Sequence, residues 1–224
     1  MKTIVKKYPY VVVATDVVIF TVKDGQLQAL LIKMKKSPFK DFWAAPGGLV
    51  KPHESVDDAA YRIVAEKAGV KNVFLEQLYT FGKAERDPFG RVVSVAYFAL
   101  VPRSLLHIHT TAEYADIAWF PIKKLPKLAY DHAEVLKQAV KRLQIKLSYT
   151  NIIYSLLPEN FSLSELQAMY EVVLARKLDK RNFRKKIQAL GLVKNTGKKR
   201  SNGASRPAEL FTFTTRKPME IAML

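Results

Sequence analysis

The chain has 224 residues, 49 % of them hydrophobic, no cysteine, and a formal net charge of +17. That length admits one large domain or two smaller ones, and the apolar share supports a sizeable core and argues against wholesale disorder. The missing cysteine excludes disulfides, thiolate zinc sites and cysteine nucleophiles, while the charge points to a polyanionic partner: nucleic acid, an anionic membrane surface or a phosphorylated ligand.

In chain order, Val11–Val22 is an apolar, β-branched run, Lys23-Asp24-Gly25 reads as a turn, and Leu27–Met34 resumes as a strand, together a hairpin. A polar loop, Lys35–Asp41, leads to Phe42–Val50, which has Pro46-Gly47-Gly48 at its centre. Val56, Ala60, Ile63, Val64 and Lys67 fall a turn apart, so Val56–Ala68 reads as a helix closed by Gly69. Strands are predicted at Val73–Phe81, Val92–Val101 and Ala118–Pro121. A long helix follows at His132–Ile145, with Val135, Leu136, Ala139, Val140 and Leu143 on one stripe. The histidines (His53, His107, His109, His132) are scattered, and the alternation of His107 and His109 suits one face of a strand better than a metal site. No apolar leader and no uninterrupted span of about 20 apolar residues is found. A cytoplasmic, soluble chain without membrane association is expected.

A second unit begins near Ser148. Asn151–Leu157 reads as a short helix ended by Pro158. Ser162 and Glu165 form a capping box that opens a helix to Leu174, burying Leu163, Leu166, Met169, Tyr170 and Val173. Asp179 caps a further helix, Lys180–Leu190, stopped by Gly191. Strands at Leu192–Asn195 and Leu210–Thr214 flank a Gly/Ser/Lys/Arg-rich stretch from Thr196 to Ser205. Three helices followed by a basic hairpin outline a winged helix-turn-helix. The expectation is an α+β chain with domains at 1–148 and 149–224.

The charge is concentrated in that second unit: between Arg176 and Arg206 there are 12 basic residues and one acidic residue, Asp179. Phe183, Ile187 and Leu190 share one side of the predicted helix at i, i+4, i+7, which leaves Lys180, Arg181, Arg184, Lys185 and Gln188 on the other. Arg and Gln suit base edges and Lys suits phosphate. A merely solvated face is the alternative, but Lys198, Lys199, Arg200 and Arg206 in the adjoining hairpin favour a double-stranded DNA partner. The stretch lacks the aromatic-rich apolar face of a membrane-surface helix.

Residues 48–70 carry a longer motif. Gly48, Glu54, Arg62, Val64, Glu66, Gly69 and Val70 keep the spacing of the Nudix signature, preceded by Ala45-Pro46-Gly47. The chain therefore resembles the Nudix family, which implies an α/β/α sandwich. In active members, glutamates of the box helix hold divalent metals that polarise a pyrophosphate and activate water. Here two of those positions are Ile63 and Lys67. Glu66 is the surviving metal candidate, so no catalytic residue, metal or cofactor is expected. Glu54 and Arg62 read as an ion pair tying loop to helix, in preference to a catalytic pair.

The C-terminal part resembles a family too. Leu157-Pro158-Glu159-Asn160-Phe161-Ser162-Leu163-Ser164-Glu165-Leu166, Leu178–Lys186 and Arg206-Pro207-Ala208-Glu209-Leu210-Phe211 are similar to the winged helix of Nudix-related transcriptional regulators of the NrtR group. Arg86–Tyr97 and Tyr130-Asp131-His132-Ala133-Glu134 are similar to segments of that group's Nudix half. The resemblance implies a homodimeric repressor of NAD-biosynthesis genes that binds a palindromic operator and is released by ADP-ribose or a related nucleotide. A related branch responds to pentoses such as arabinose. Arg86, Asp87 and Arg91 are the ligand-binding candidates: the two arginines flank a turn and can hold a diphosphate by bidentate hydrogen bonds, or else form a salt bridge to Asp87 or Glu85. Two further readings are an active ADP-ribose pyrophosphatase with an accessory basic domain, and an RNA-binding adaptor.

Overall fold

The β-branched run makes β1 (Tyr8–Lys23) 16 residues long, and Asp24 and Gly25, both at positive φ (52° and 69°), turn it into β2 (Gln26–Lys33). Two consecutive left-handed residues are what a type I′ hairpin requires, so the hairpin forms at the turn the sequence marks. The computed structural model describes residues 8–71, 73–102, 114–201 and 207–221; His107 and His109 lie outside the described residues. The next strands are β3 (Trp43–Ala44), β4 (Gly47–Leu49), β5 (Phe74–Phe81), β6 (Gly90–Leu100) and β7 (Asp116–Pro121). Among the described residues seven strands form one mixed sheet, in the order β3-β2-β1-β6-β5 with β4 paired to β1 and β7 to β2.

β1 organises this sheet. It runs parallel to β6 from Val12 to Phe20 and antiparallel to β4, where Asp16 sits opposite Gly47. Ala14 to Thr21 are all buried as a result. Helix α1 (Val56–Ala68) starts at a reciprocal capping box between Ser55 and Asp58 and ends at Gly69 in the left-handed conformation. Its Ala60, Ile63, Val64 and Ala68 join Val17, Ile19, Leu30 and Tyr97 in one core cluster. Because strand side chains alternate, Val18, Phe20, Leu31, Phe98 and Leu100 point to the opposite face, and they too are buried. Helix α2 (His132–Tyr149) runs four residues beyond the expected end and buries Val135, Leu136, Ala139 and Leu143.

The chain divides into two compact units, the second comprising Arg142–Leu224 with Thr21–Leu27 and Pro102–Ser104. In the second unit, the segment expected as a short helix at Asn151–Leu157 is a 3-10 helix, Ile152–Leu156, with every residue buried. Such a segment has no polar face to set a 3.6-residue period, and the tighter coil is common in short pieces. Arg216 donates to the carbonyls of Tyr154, Leu157 and Pro158 and so satisfies its open end. Helices α3 (Leu163–Leu174) and α4 (Lys180–Ala189) follow with the expected Ser162–Glu165 and Asp179 caps. Met169 on α3 is half-buried rather than buried.

The hairpin of β8 (Val193–Arg200) and β9 (Ala208–Phe213) is longer than its apolar pattern suggested. Thr-Gly-Lys-Lys has no alternation to read, yet a bulge past Asn195, with Gly197 at φ 73°, re-forms the ladder at Lys199 and Arg200. Phe161 exchanges two backbone hydrogen bonds with Phe211 (3.0 and 2.7 Å) and adds an edge to the wing. Its fully buried ring packs 5.0 Å from that of Phe213. Phe161→Ala is expected to destabilise the second unit by about 3–5 kcal/mol, read as a lower urea midpoint at unchanged slope; a loss under about 1 kcal/mol would show that the core re-forms without it.

Candidate ligand cleft and nucleic-acid interface

β1 carries one acid in its buried stretch, and a cleft of about 620 Å³ forms around it. Asp16 Oδ2 accepts from Arg86 (3.0 Å) and from Ser94 Oγ (2.6 Å). The Arg86 guanidinium also donates twice to Asp131, at 2.9 and 2.7 Å, so two carboxylates share it. The Ala45 N–H donates to His132 Nδ1 at 2.9 Å, which leaves the ring hydrogen on Nε2, 3.6 Å from Asp16 Oδ1. Burial pushes the Asp16 carboxyl up, but the His132 N–H, the Arg86 guanidinium and the Ser94 hydroxyl outweigh it and hold the group well below the usual carboxylate range. A Cβ at Gly47 would stand 2.2 Å from Asp16 Oδ1. Only glycine fits there, which accounts for one glycine of the Pro46-Gly47-Gly48 turn.

The cleft wall is mixed. Phe39 and Tyr130 meet at 4.4 Å between ring centroids, and Tyr130 lies 5.3 Å from the His132 ring. Lys35 and Lys36, both exposed, stand at the rim, and Asp87 and Phe89 enter from the β5–β6 connection. Arg86 and Asp87 thus reach the cleft, whereas Arg91 does not line it. Arg91 donates to the carbonyls of Gly82 (2.8 Å) and Lys83 (3.2 Å), and Asp87 accepts from the Phe89 N–H (2.8 Å). Arg86 pairs with Asp16 and Asp131, residues 45 or more positions away, rather than with its neighbours Glu85 and Asp87. Sequence reading missed Asp16, Ser94, Asp131 and His132 as a group. One signal was present: an aspartate inside a β-branched run is rarely buried without a partner.

The Nudix box reaches this cleft through Gly48 and Leu49, ahead of its helix. Glu54 binds Arg62 through two oxygens (2.9 and 2.6 Å) and accepts from the Lys51 N–H. The Arg62 hydrogen bond lowers the Glu54 carboxyl to about 2. Ile63 and Lys67 share the buried side of α1 at i, i+4, and the Lys67 ammonium lies 4.4 Å from the centre of the Tyr114 ring. Glu66 is turned outward, half-exposed, 3.7 Å from Arg62.

In the second unit, the link between α3 and α4 is clasped by side chains. Glu171 accepts from the Leu178 N–H, Lys177 and Gln167, and Gln167 also donates to the Leu178 carbonyl. Phe183 and Ile187 are buried, which presents Lys180, Arg181, Lys185 and Gln188 exposed on the opposite side of α4 with Arg184 half-buried among them. Arg184 donates to Ser164 Oγ at 3.2 Å. In the wing, Lys198 and Lys199 are exposed, and Arg200 binds Glu165 of the α3 capping box. Arg206 lies outside the described residues. Among the described residues no helix is long and apolar enough to cross a membrane.

Two family models match: a NUDIX domain over residues 12–142 and an NrtR DNA-binding winged helix domain over residues 153–213. An ADPR-responsive transcriptional repressor of Acinetobacter baylyi is 38 % identical over 215 residues, covering 92 % of this chain and 83 % of its own. Shewanella oneidensis NrtR complexed with a 27mer DNA matches at TM-score 0.78 with 35 % identity, over 90 % of this chain and 93 % of that one. The Nudix domain of the same protein complexed with ADP ribose matches at TM-score 0.54 with 35 % identity, over 62 % of this chain and 92 % of that domain.

The Asp16 network makes a pH prediction. Its folded-state pKa lies below the unfolded 3.8, so its stabilisation is present above that pH and is lost as the pH falls below it. Asp16→Asn is expected to cost about 3–5 kcal/mol at pH 7, with the gap to wild type narrowing at pH 3 in denaturant melts. An equal gap at both pH values would place the effect in packing instead of charge.

Proposed function

Since the chain belongs to the Nudix-related transcriptional regulators of the NrtR group, we propose that it is a DNA-binding repressor released from its operator by ADP-ribose. The observation that carries this is the cationic side of α4, placed by a helix-turn-helix clasp and flanked by a basic wing. Residues 1–148 serve as the sensing part and 149–224 as the DNA-binding part, acting in the cytoplasm on NAD-metabolism genes. A homodimer brings two such helices to the half-sites of a palindrome. Arg181, Arg184 and Gln188 read base edges. Lys180, Lys185, Lys198, Lys199, Arg200 and Arg206 hold phosphates.

The ligand occupies the cleft around Asp16. Lys35 and Lys36 at its rim suit a diphosphate, and the Phe39 and Tyr130 rings suit a base or ribose face. That cationic rim favours a nucleotide over a neutral pentose. Arg86 and Asp87 form the wall on which the ligand rests, and Arg91 holds the loop that carries them. The site binds without cleaving: where a metal cluster needs converging carboxylates, α1 offers Ile63 and a buried lysine, and Glu66 faces away toward Arg62.

Three measurements test this. Affinity for a duplex from the chain's own promoter region should fall about 10³–10⁵-fold between 50 and 200 mM salt if 6–10 phosphates are contacted, and Lys185→Ala should lower that log–log slope by about one. Promoter DNA bound no more tightly than random duplex would defeat the reading, and preference for single-stranded or structured RNA would replace it. ADP-ribose at about 100 times its dissociation constant should add about 2.7 kcal/mol of stability and dissociate the complex, whereas arabinose should do neither. With Mg²⁺, ADP-ribose should persist; cleavage abolished by Glu66→Gln would make the chain a hydrolase.

A further inference from the structure

Two acids line the cleft of the first unit, and the fold treats them differently. Asp16 is buried, and its charge is matched by Arg86, with Ser94 and His132 beside it. Asp87, half-buried on the β5–β6 connection, forms no ion pair among the described residues. Its Oδ1 accepts the Phe89 N–H at 2.8 Å, and its Oδ2 has no donor among the described residues. A side-chain oxygen that accepts from the backbone two residues on makes an Asx turn, which asparagine makes as well as aspartate. The turn therefore requires the oxygen of residue 87 and not its charge. That charge stands at the cleft wall without a partner.

The rest of the lining narrows what this carboxylate can meet. Lys35 and Lys36 enter the same cleft from the β2–β3 connection, so one loop brings cations and another brings an uncompensated acid. A ligand that is anionic along its whole length is drawn by the lysines and repelled by Asp87. A ligand that joins a diphosphate to neutral hydroxyls satisfies both loops, because a hydroxyl donating to a carboxylate makes a short, charge-assisted hydrogen bond. We infer that Asp87 is a specificity-determining residue of the cleft: it accepts from the hydroxyls of an unphosphorylated ribose and rejects a ribose that carries a further phosphate. Like charges near a protein surface repel about four times as strongly as in bulk water, so the charge of Asp87, and not its size, sets the discrimination. This inference rests on the proposal that the cleft holds ADP-ribose, and it adds which chemical feature of that ligand is checked.

The test is isothermal titration of the full-length chain with ADP-ribose, 2′-phospho-ADP-ribose and ADP-ribose 1″-phosphate, whose extra phosphates mark the two riboses in turn. At least one phosphorylated form should bind about ten-fold or more weakly than ADP-ribose, and which one it is identifies the ribose at Asp87. Asp87→Asn keeps an acceptor for the Phe89 N–H and removes the charge, so the variant folds. It should bring the penalised form to within about three-fold of ADP-ribose. Lys36→Ala should weaken all three ligands and leave the penalty in place, which ties the penalty to Asp87. Equal binding of all three by the wild type, or a penalty that Asp87→Asn leaves unchanged, would overturn the assignment while the cleft reading stands. No binding of ADP-ribose by the wild type would overturn both.

Discussion

One buried carboxylate holds the first unit in register. Asp16 sits in the middle of the longest strand, where neighbouring positions are valine, isoleucine and threonine, and where an unpaired charge would be untenable. Its partners come from four other segments: Arg86 from the β5–β6 connection, Ser94 from β6, Gly47 from β4 and His132 from α2. Asp131 closes the set by taking the rest of the Arg86 guanidinium. Each partner is useless to the others if its segment slips, because a one-residue slip turns a strand side chain to the opposite face. The network therefore specifies register more than it adds stability, the role buried ion pairs serve best.

The same network explains why the cleft exists as a preformed space. The side chains that would otherwise fill it are drawn back into the Asp16–Arg86–Asp131 set, and Gly47 contributes no side chain at all. What remains is a wall of two rings and a rim of two lysines. Beside it the loop-and-helix frame of the Nudix box is intact, and box positions 63 and 67 face inward. Glu54 and Arg62 still lock the loop to α1. Ile63 has joined the core, and Lys67 has moved its charge over a tyrosine ring. That is the arrangement which the proposed binding of a diphosphate without hydrolysis requires.

Periodicity made most of the fold legible in the sequence. α1 runs from Val56 to Ala68 as its apolar stripe indicates, and the Asp24-Gly25 turn and the Ser162–Glu165 capping box fall where their chemistry requires. The misses share a cause: backbone pairing or tertiary burial acting where no side-chain pattern exists. Ile152–Leu156 is buried throughout, its serine included, so its period was unreadable, and β8 extends through Lys-Lys-Arg because its partner strand supplies the hydrogen bonds. The cationic face of α4 was visible because it is local. The Asp16 set was not, because its hydrogen bonds join residues 45 to 78 positions apart, and only the fold brings them together.

The cationic face depends in turn on a small acidic device. Helix α3 ends on Ala175 in the left-handed conformation, and the next three residues carry two positive charges before α4 begins. Nothing apolar in Arg176-Lys177 holds that turn. Glu171 does so, taking a backbone N–H from Leu178 and the Lys177 ammonium at once, and the Leu178 hydrogen bond leads in lowering its carboxyl to about 2. With the turn fixed and Phe183 and Ile187 buried, α4 has one rotational setting left, and in it the basic residues face solvent together. The common orientation of that charge is therefore a consequence of two buried residues and one clasp. A lysine-rich surface alone would bind any polyanion, whereas a basic face held in a single orientation is what allows base edges to be read.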